Sequence, residues 1–124
     1  MYQKKYILDM PNATLKVVFF QTAAGAEPVR GWLKNLPAAD RKTIGADIKT
    51  VQFGWPLGMP LVRHLGGDIW EVRIRLENRI ARVLFALDAD VMVLLHAFIK
   101  KDQKTPTADL ELAKDRLKAV RKAK

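Results

Sequence analysis

The chain has 124 residues, 49% of them hydrophobic, no cysteine, and a formal net charge of +9 from 22 Lys+Arg against 13 Asp+Glu. That length suits a single domain, 1–124, which can bury roughly two-thirds of its unfolded surface without a covalent or metal staple, and the composition excludes wholesale disorder. The missing cysteines exclude disulfide frameworks, thiolate zinc sites and cysteine nucleophiles; His64 and His96 are too far apart for a metal cluster, so neither metal nor cofactor is expected.

The start, Met1 to Tyr6, carries charge but no apolar stretch, so no secretory leader is read and a cytoplasmic setting is expected. Residues 1–14 are taken as an N-terminal extension. Leu15 to Phe20 is rich in β-formers and predicts a strand that Gly25 closes. Glu27-Pro28 opens a short helix, with Val29, Trp32, Leu33 and Leu36 at helical spacing. Pro37 separates it from a second helix over about Ala38 to Phe53, whose stripe is Ile44, Ile48 and Val51 and whose stop is Gly54. So short a link suggests an antiparallel helix pair. Trp55 to Pro60 is turn-rich, and Leu61 to Leu65 is a short strand ended by Gly66-Gly67.

An antiparallel meander follows. Trp70, Val72, Ile74 and Leu76 alternate with Glu71, Arg73, Arg75 and Glu77; the chain turns at Glu77-Asn78, returns over Arg79 to Leu87, turns at Asp88 to Asp90, and runs back over Val91 to Ile99. Asp88 and Asp90 break the longest apolar stretch into strand-length halves, so it reads as a hairpin and not a membrane span. Thr105 as N-cap and Pro106 as first helical residue open a last helix with a stripe of Leu110, Ala113, Leu117 and Val120. The expected order is β-α-α-β-β-β-β-α, a two-layer α+β domain.

The strand register places charges. A two-residue turn at Glu77-Asn78 pairs Leu76 with Arg79 and Arg73 with Arg82, with Trp70, Val72, Ile74, Leu76, Val83, Phe85 and Leu87 all on one face. A three-residue loop at Asp88 to Asp90 would then pair Leu87 with Val91, Phe85 with Val93 and Val83 with Leu95. On that register Arg73, Arg82 and His96 form a row across three strands. Like charges directly opposite repel by up to ~1 kcal/mol, so such a row invites an anion. Glu71 neutralises part of the field, and Arg75 and Lys100 lie on the same face. Lys101 and Lys104 follow the last strand as further cations. A polyanion such as nucleic acid is the partner this charge suits.

Arg63 to Arg73 with its Gly-Gly-Asp-Ile-Trp-Glu-Val-Arg run, Arg79 to Phe85, and His96 to Lys101 with Gln103 to Pro106 and Ala113 to Arg116 together resemble the phage-derived HigB-like branch of the RelE/ParE toxin superfamily. The resemblance spans about Leu15 to Val120. It implies the RelE-like fold of the same element order, and a type II toxin whose partner is a helix-turn-helix, HigA-like antitoxin in a hetero-oligomer. It also implies a metal-independent endoribonuclease that cuts mRNA on the ribosome, by attack of the RNA 2′-hydroxyl on the adjacent phosphate. Carried over by position, Arg73 stands where such enzymes place a catalytic lysine, Arg82 on their phosphate-binding arginine, and Lys101 near their cation after the last strand. His96 is a candidate proton carrier, and Arg63, Arg75, Lys100 and Lys104 are candidates to hold RNA. The sequence departs from the pattern in two respects: its only tyrosines are Tyr2 and Tyr6, far from the last helix, and Glu71 replaces a second strand lysine. Within the superfamily, a ParE-like inhibitor of DNA gyrase and a non-catalytic prophage binding module are the alternatives.

Overall fold

The alternating and continuous apolar runs assemble into one sheet with helices on both sides. The computed structural model describes residues 14–100 and 105–123. Nearly all of the expected N-terminal extension, together with Lys101 and Lys104, lies outside them. The elements are β1 (Lys16–Phe19), α1 (Pro28–Lys34), α2 (Ala38–Gly54), β2 (Val62–His64), β3 (Trp70–Leu76), β4 (Arg79–Asp88), β5 (Val91–Lys100) and α3 (Thr107–Lys122). This is the expected α+β order. The strands form a five-stranded sheet in the order β1-β5-β4-β3-β2. Its pairs are antiparallel except β1, which runs parallel to β5 with Lys16 opposite Val91.

One face of the sheet packs Val72, Ile74, Val83, Phe85, Met92 and Leu94 against Val29 of α1 and Ile44, Ile48 and Val51 of α2. The opposite face packs Leu84, Ala86, Val91, Val93 and Leu95 against Ala113, Leu117 and Val120 of α3. Three layers therefore replace the two expected, because β4 and β5 are apolar on both faces and each face needs cover. The expected antiparallel helix pair is also revised: α1 rests mainly on β5 and β1, and α2 on β3, so each helix has the sheet as its principal partner. No helix among the described residues is long and apolar enough to cross a membrane.

The first hairpin has the expected register, Leu76 opposite Arg79 and Arg73 opposite Arg82. The second does not. Asp88 pairs with Val91, Leu87 with Met92 and Phe85 with Leu94, so the turn is two residues long. It places Ala89 at φ 53, a conformation alanine seldom adopts; the expected three-residue loop followed instead from keeping one face of the hairpin apolar. An irregularity next to Leu84/Phe85 then shifts the ladder, pairing Leu84 with His96, Val83 with Ala97 and Arg82 with Phe98. Val91, Val93 and Leu95 consequently face α3, not the side of Phe85. A strand buried on both faces offers no alternation to fix its register in advance.

Candidate active site

The α3-side face is divided along the strands. At one end it is apolar and covered by α3. Toward the other end, successive cross-strand rows are Glu71–Leu84–His96, then Arg73–Arg82–Phe98, then Arg75–Ile80–Lys100. Arg63 of β2 stands opposite Glu71 and is exposed. His96 thus leaves the row expected for it and joins the neighbouring one, displaced by the irregularity in β5.

Arg73 and Arg82 do meet across the strands, and the anion between them belongs to the protein. Glu71 is wholly buried, with Oε1 3.8 Å from Arg73 Nε and Oε2 3.7 Å from Arg82 Nη1. Arg82 is also wholly buried. Its Nη1 donates to Thr105 Oγ1 at 3.2 Å, and Thr105 Oγ1 donates to Glu71 Oε2 at 2.5 Å. Two buried charges this close offset each other's desolvation only when hydrogen bonds support them, and Thr105 supplies one to each. Thr105 is therefore committed to this network. It does not cap α3, which begins at Thr107 with Pro106 in the cap position and no side-chain cap bond.

His96 is anchored to α3: its Nε2–H donates to Asp109 Oδ1 at 2.6 Å, and its ring stacks on Phe98 at 5.5 Å. Arg116 fixes the same helix further along, donating to the Leu95 carbonyl at 2.8 Å and lying over the Phe20 ring at 5.5 Å. Burial pushes the Arg116 guanidinium below the ordinary arginine range.

Of the remaining candidates, the Arg73 side chain is 12% exposed, Lys100 is half-buried and Arg75 is exposed. The positions of Lys101 and Lys104 fall outside the described residues. Sequence reasoning missed Thr105 as a partner of Glu71 and Arg82, and Asp109 as the partner of His96. Neither has a local signal, because both contacts join segments far apart in the chain.

Arg73 and Arg75 also reach an open cleft of about 350 Å³ at the edge of β3, lined by Asp47, Met59, Pro60, Leu61, Arg73, Arg75 and Ile80. Fixed guanidinium groups at a partly sheltered surface can hold a phosphate bidentately and stabilise charge that develops on it.

Residues 31–118 match the family described as "Phage derived protein Gp49-like". Two curated relatives, each "Probable endoribonuclease HigB1", come from the CDC 1551 / Oshkosh and ATCC 25618 / H37Rv strains of Mycobacterium tuberculosis. Each is 32% identical over 106 residues, covering 85% of this chain and 84% of the relative.

Proposed function

The chain belongs to the phage-derived Gp49-like family, a HigB-type branch of the RelE-like toxins, and from that premise we propose that it is a ribosome-dependent endoribonuclease that blocks translation. The observation that carries the reading is a cationic stretch of sheet in which Arg73, Arg75 and Lys100 occupy two successive cross-strand rows on one face. The endoribonuclease activity named for the relatives supports it.

In this reading an mRNA phosphate lies against Arg73. The 2′-hydroxyl of the preceding nucleotide passes its proton to solvent water and bonds to phosphorus. The bond from phosphorus to the 5′-oxygen breaks, and that oxygen takes up a proton, leaving a 2′,3′-cyclic phosphate and a 5′-hydroxyl. The pentavalent transition state carries more negative charge than the diester, so a guanidinium fixed in place stabilises it preferentially. Lys101, directly after Lys100, is the second catalytic cation and the proton source for the leaving oxygen. Arginine is a poor proton carrier near neutral pH.

Arg82 and His96 act here as positioning residues. Buried Arg82 holds Glu71 and Thr105, and through Glu71 it fixes where Arg73 points. His96 ties β5 to the start of α3. Arg63, Arg75, Lys100 and Lys104 hold the RNA strand. The partner that silences the toxin is a helix-turn-helix, HigA-like antitoxin, and the site of action is the cytoplasmic ribosome.

The test is to map mRNA 3′ ends in a bacterial translation extract with the intact protein and with Arg73→Ala. New ends inside codons, on translating message and only with the intact protein, are expected. Uncut message with the intact protein would overturn the reading.

A further inference from the structure

The cleft at the β3 edge exists because β2 is short. β2 covers β3 only over Trp70 to Val72, and the Arg73 amide donates to the Leu61 carbonyl at 2.8 Å as the last bond of that edge. Beyond it, Met59, Pro60, Leu61 and Ile80 line the cleft together with Asp47 of α2 and Arg73 and Arg75 of β3. Its volume, about 350 Å³, lies in the range of small-molecule sites, ~300–1,000 Å³.

Two opposite charges line this cleft without meeting. Asp47 sits next to the α2 stripe of Ile44, Ile48 and Val51, two turns after Asp40. Asp40 is satisfied, taking both its oxygens to Arg79 Nη2 at 3.1 Å. Asp47, among the described residues, has neither an ion pair nor a side-chain hydrogen bond, and the same holds for Arg75. Burial raises the Asp47 carboxyl above the ordinary carboxylate range. An acceptor-only group and a cation lining one cleft among apolar side chains suit a ligand that carries both donors and an anion.

We propose that this cleft is a nucleotide subsite: it takes one guanine base of the RNA strand, with Asp47 reading the base and Arg75 holding its phosphate. The inference rests on the nuclease reading for its biological setting. Guanine is the base whose Watson–Crick edge presents two adjacent donors, N1–H and the exocyclic amine, which match the two oxygens of a carboxylate. Adenine and cytosine place an acceptor beside their single amine, and uracil flanks its one N–H with two carbonyls. The base face packs on Met59, Pro60, Leu61 and Ile80, where the thioether of Met59 adapts to a planar ring. Met59 is 60% exposed in the empty cleft, so an apolar side chain is waiting for cover.

The test titrates the full chain with the four nucleoside 5′-monophosphates and with inorganic phosphate, by calorimetry and by amide shifts of Leu61 and Arg75. GMP should bind about fivefold more tightly than AMP, CMP or UMP, the lower end of what a bidentate base contact discriminates. In Asp47→Asn that advantage should vanish, while binding of inorganic phosphate stays unchanged. A GMP affinity equal to that of the other three, or a guanine advantage that survives in Asp47→Asn, would overturn the subsite. The message-cutting experiment separates the two claims. A guanine advantage in a protein that cuts no message sinks the nuclease and leaves the subsite. Cutting without a guanine advantage does the reverse.

Discussion

Two halves of the α3-side face belong to one sheet and reach opposite ends. Beneath α3, Leu84, Ala86, Val93 and Leu95 meet Ala113, Leu117 and Val120 in an apolar cluster. Farther across the same face, Arg73 and Arg75 of β3 and Lys100 of β5 occupy the two rows past Glu71–Leu84–His96. The seam between them is the Glu71–Arg82–Thr105 network. The difference teaches where each kind of energy sits. Apolar burial under α3 holds the fold, while cations gather in the neighbouring rows, and the buried ion pair lets one pass into the other within two residues of strand.

The largest expected effect lies at the seam. Glu71→Ala removes a buried carboxylate from beside the buried Arg82 guanidinium, and breaking that pair should cost about 3–5 kcal/mol of stability. Urea unfolding would show this as a lower midpoint at unchanged slope. The double variant Glu71→Leu/Arg82→Met should recover most of that loss, because a well-packed apolar pair replaces both charges. If the double variant is as unstable as the single one, the network stabilises by more than mutual neutralisation.

A matched pair of substitutions then separates the halves. Leu117→Ala under α3 should cost about 2–4 kcal/mol and leave RNA affinity unchanged once the protein is folded. Arg75→Ala on the open half should change stability by no more than ~0.5 kcal/mol, yet lower the salt dependence of single-stranded RNA binding by about 0.7 in log–log slope. Equal effects of the two variants on RNA binding would erase the comparison.

The smallest expected effect concerns pH at the cleft. Asp47 has a raised carboxyl pKa in the folded state, so the folded protein binds that proton more strongly than the unfolded chain does. Its contribution opposes folding when the group is ionised and fades as pH falls through the folded-state value. Asp47→Asn should therefore be slightly more stable than the parent near neutral pH, with the gain disappearing in acid. Thermal melts across that range check it, and a gain that grows in acid would contradict it.

Much of the architecture is legible in the residues themselves. Alternation over Trp70 to Leu76, the short turn at Glu77-Asn78 and the Pro and Gly punctuation around the first two helices determine the element order, the first hairpin's register and the meeting of Arg73 with Arg82, because these are local patterns with a fixed period. Three things were decided only in the tertiary structure. β5 is apolar on both sides, so its register was settled by the Ala89 turn and the shift beside Leu84, which moved His96 out of the arginine row. The place of α3, and so which cations stay uncovered, depended on which face of the sheet still lacked cover. Arg82 reads in the sequence as an open phosphate ligand, but it is buried because Glu71 and Thr105, 11 and 23 residues away in the chain, converge on it. Burial is set by what the fold brings close, and no local spacing encodes it.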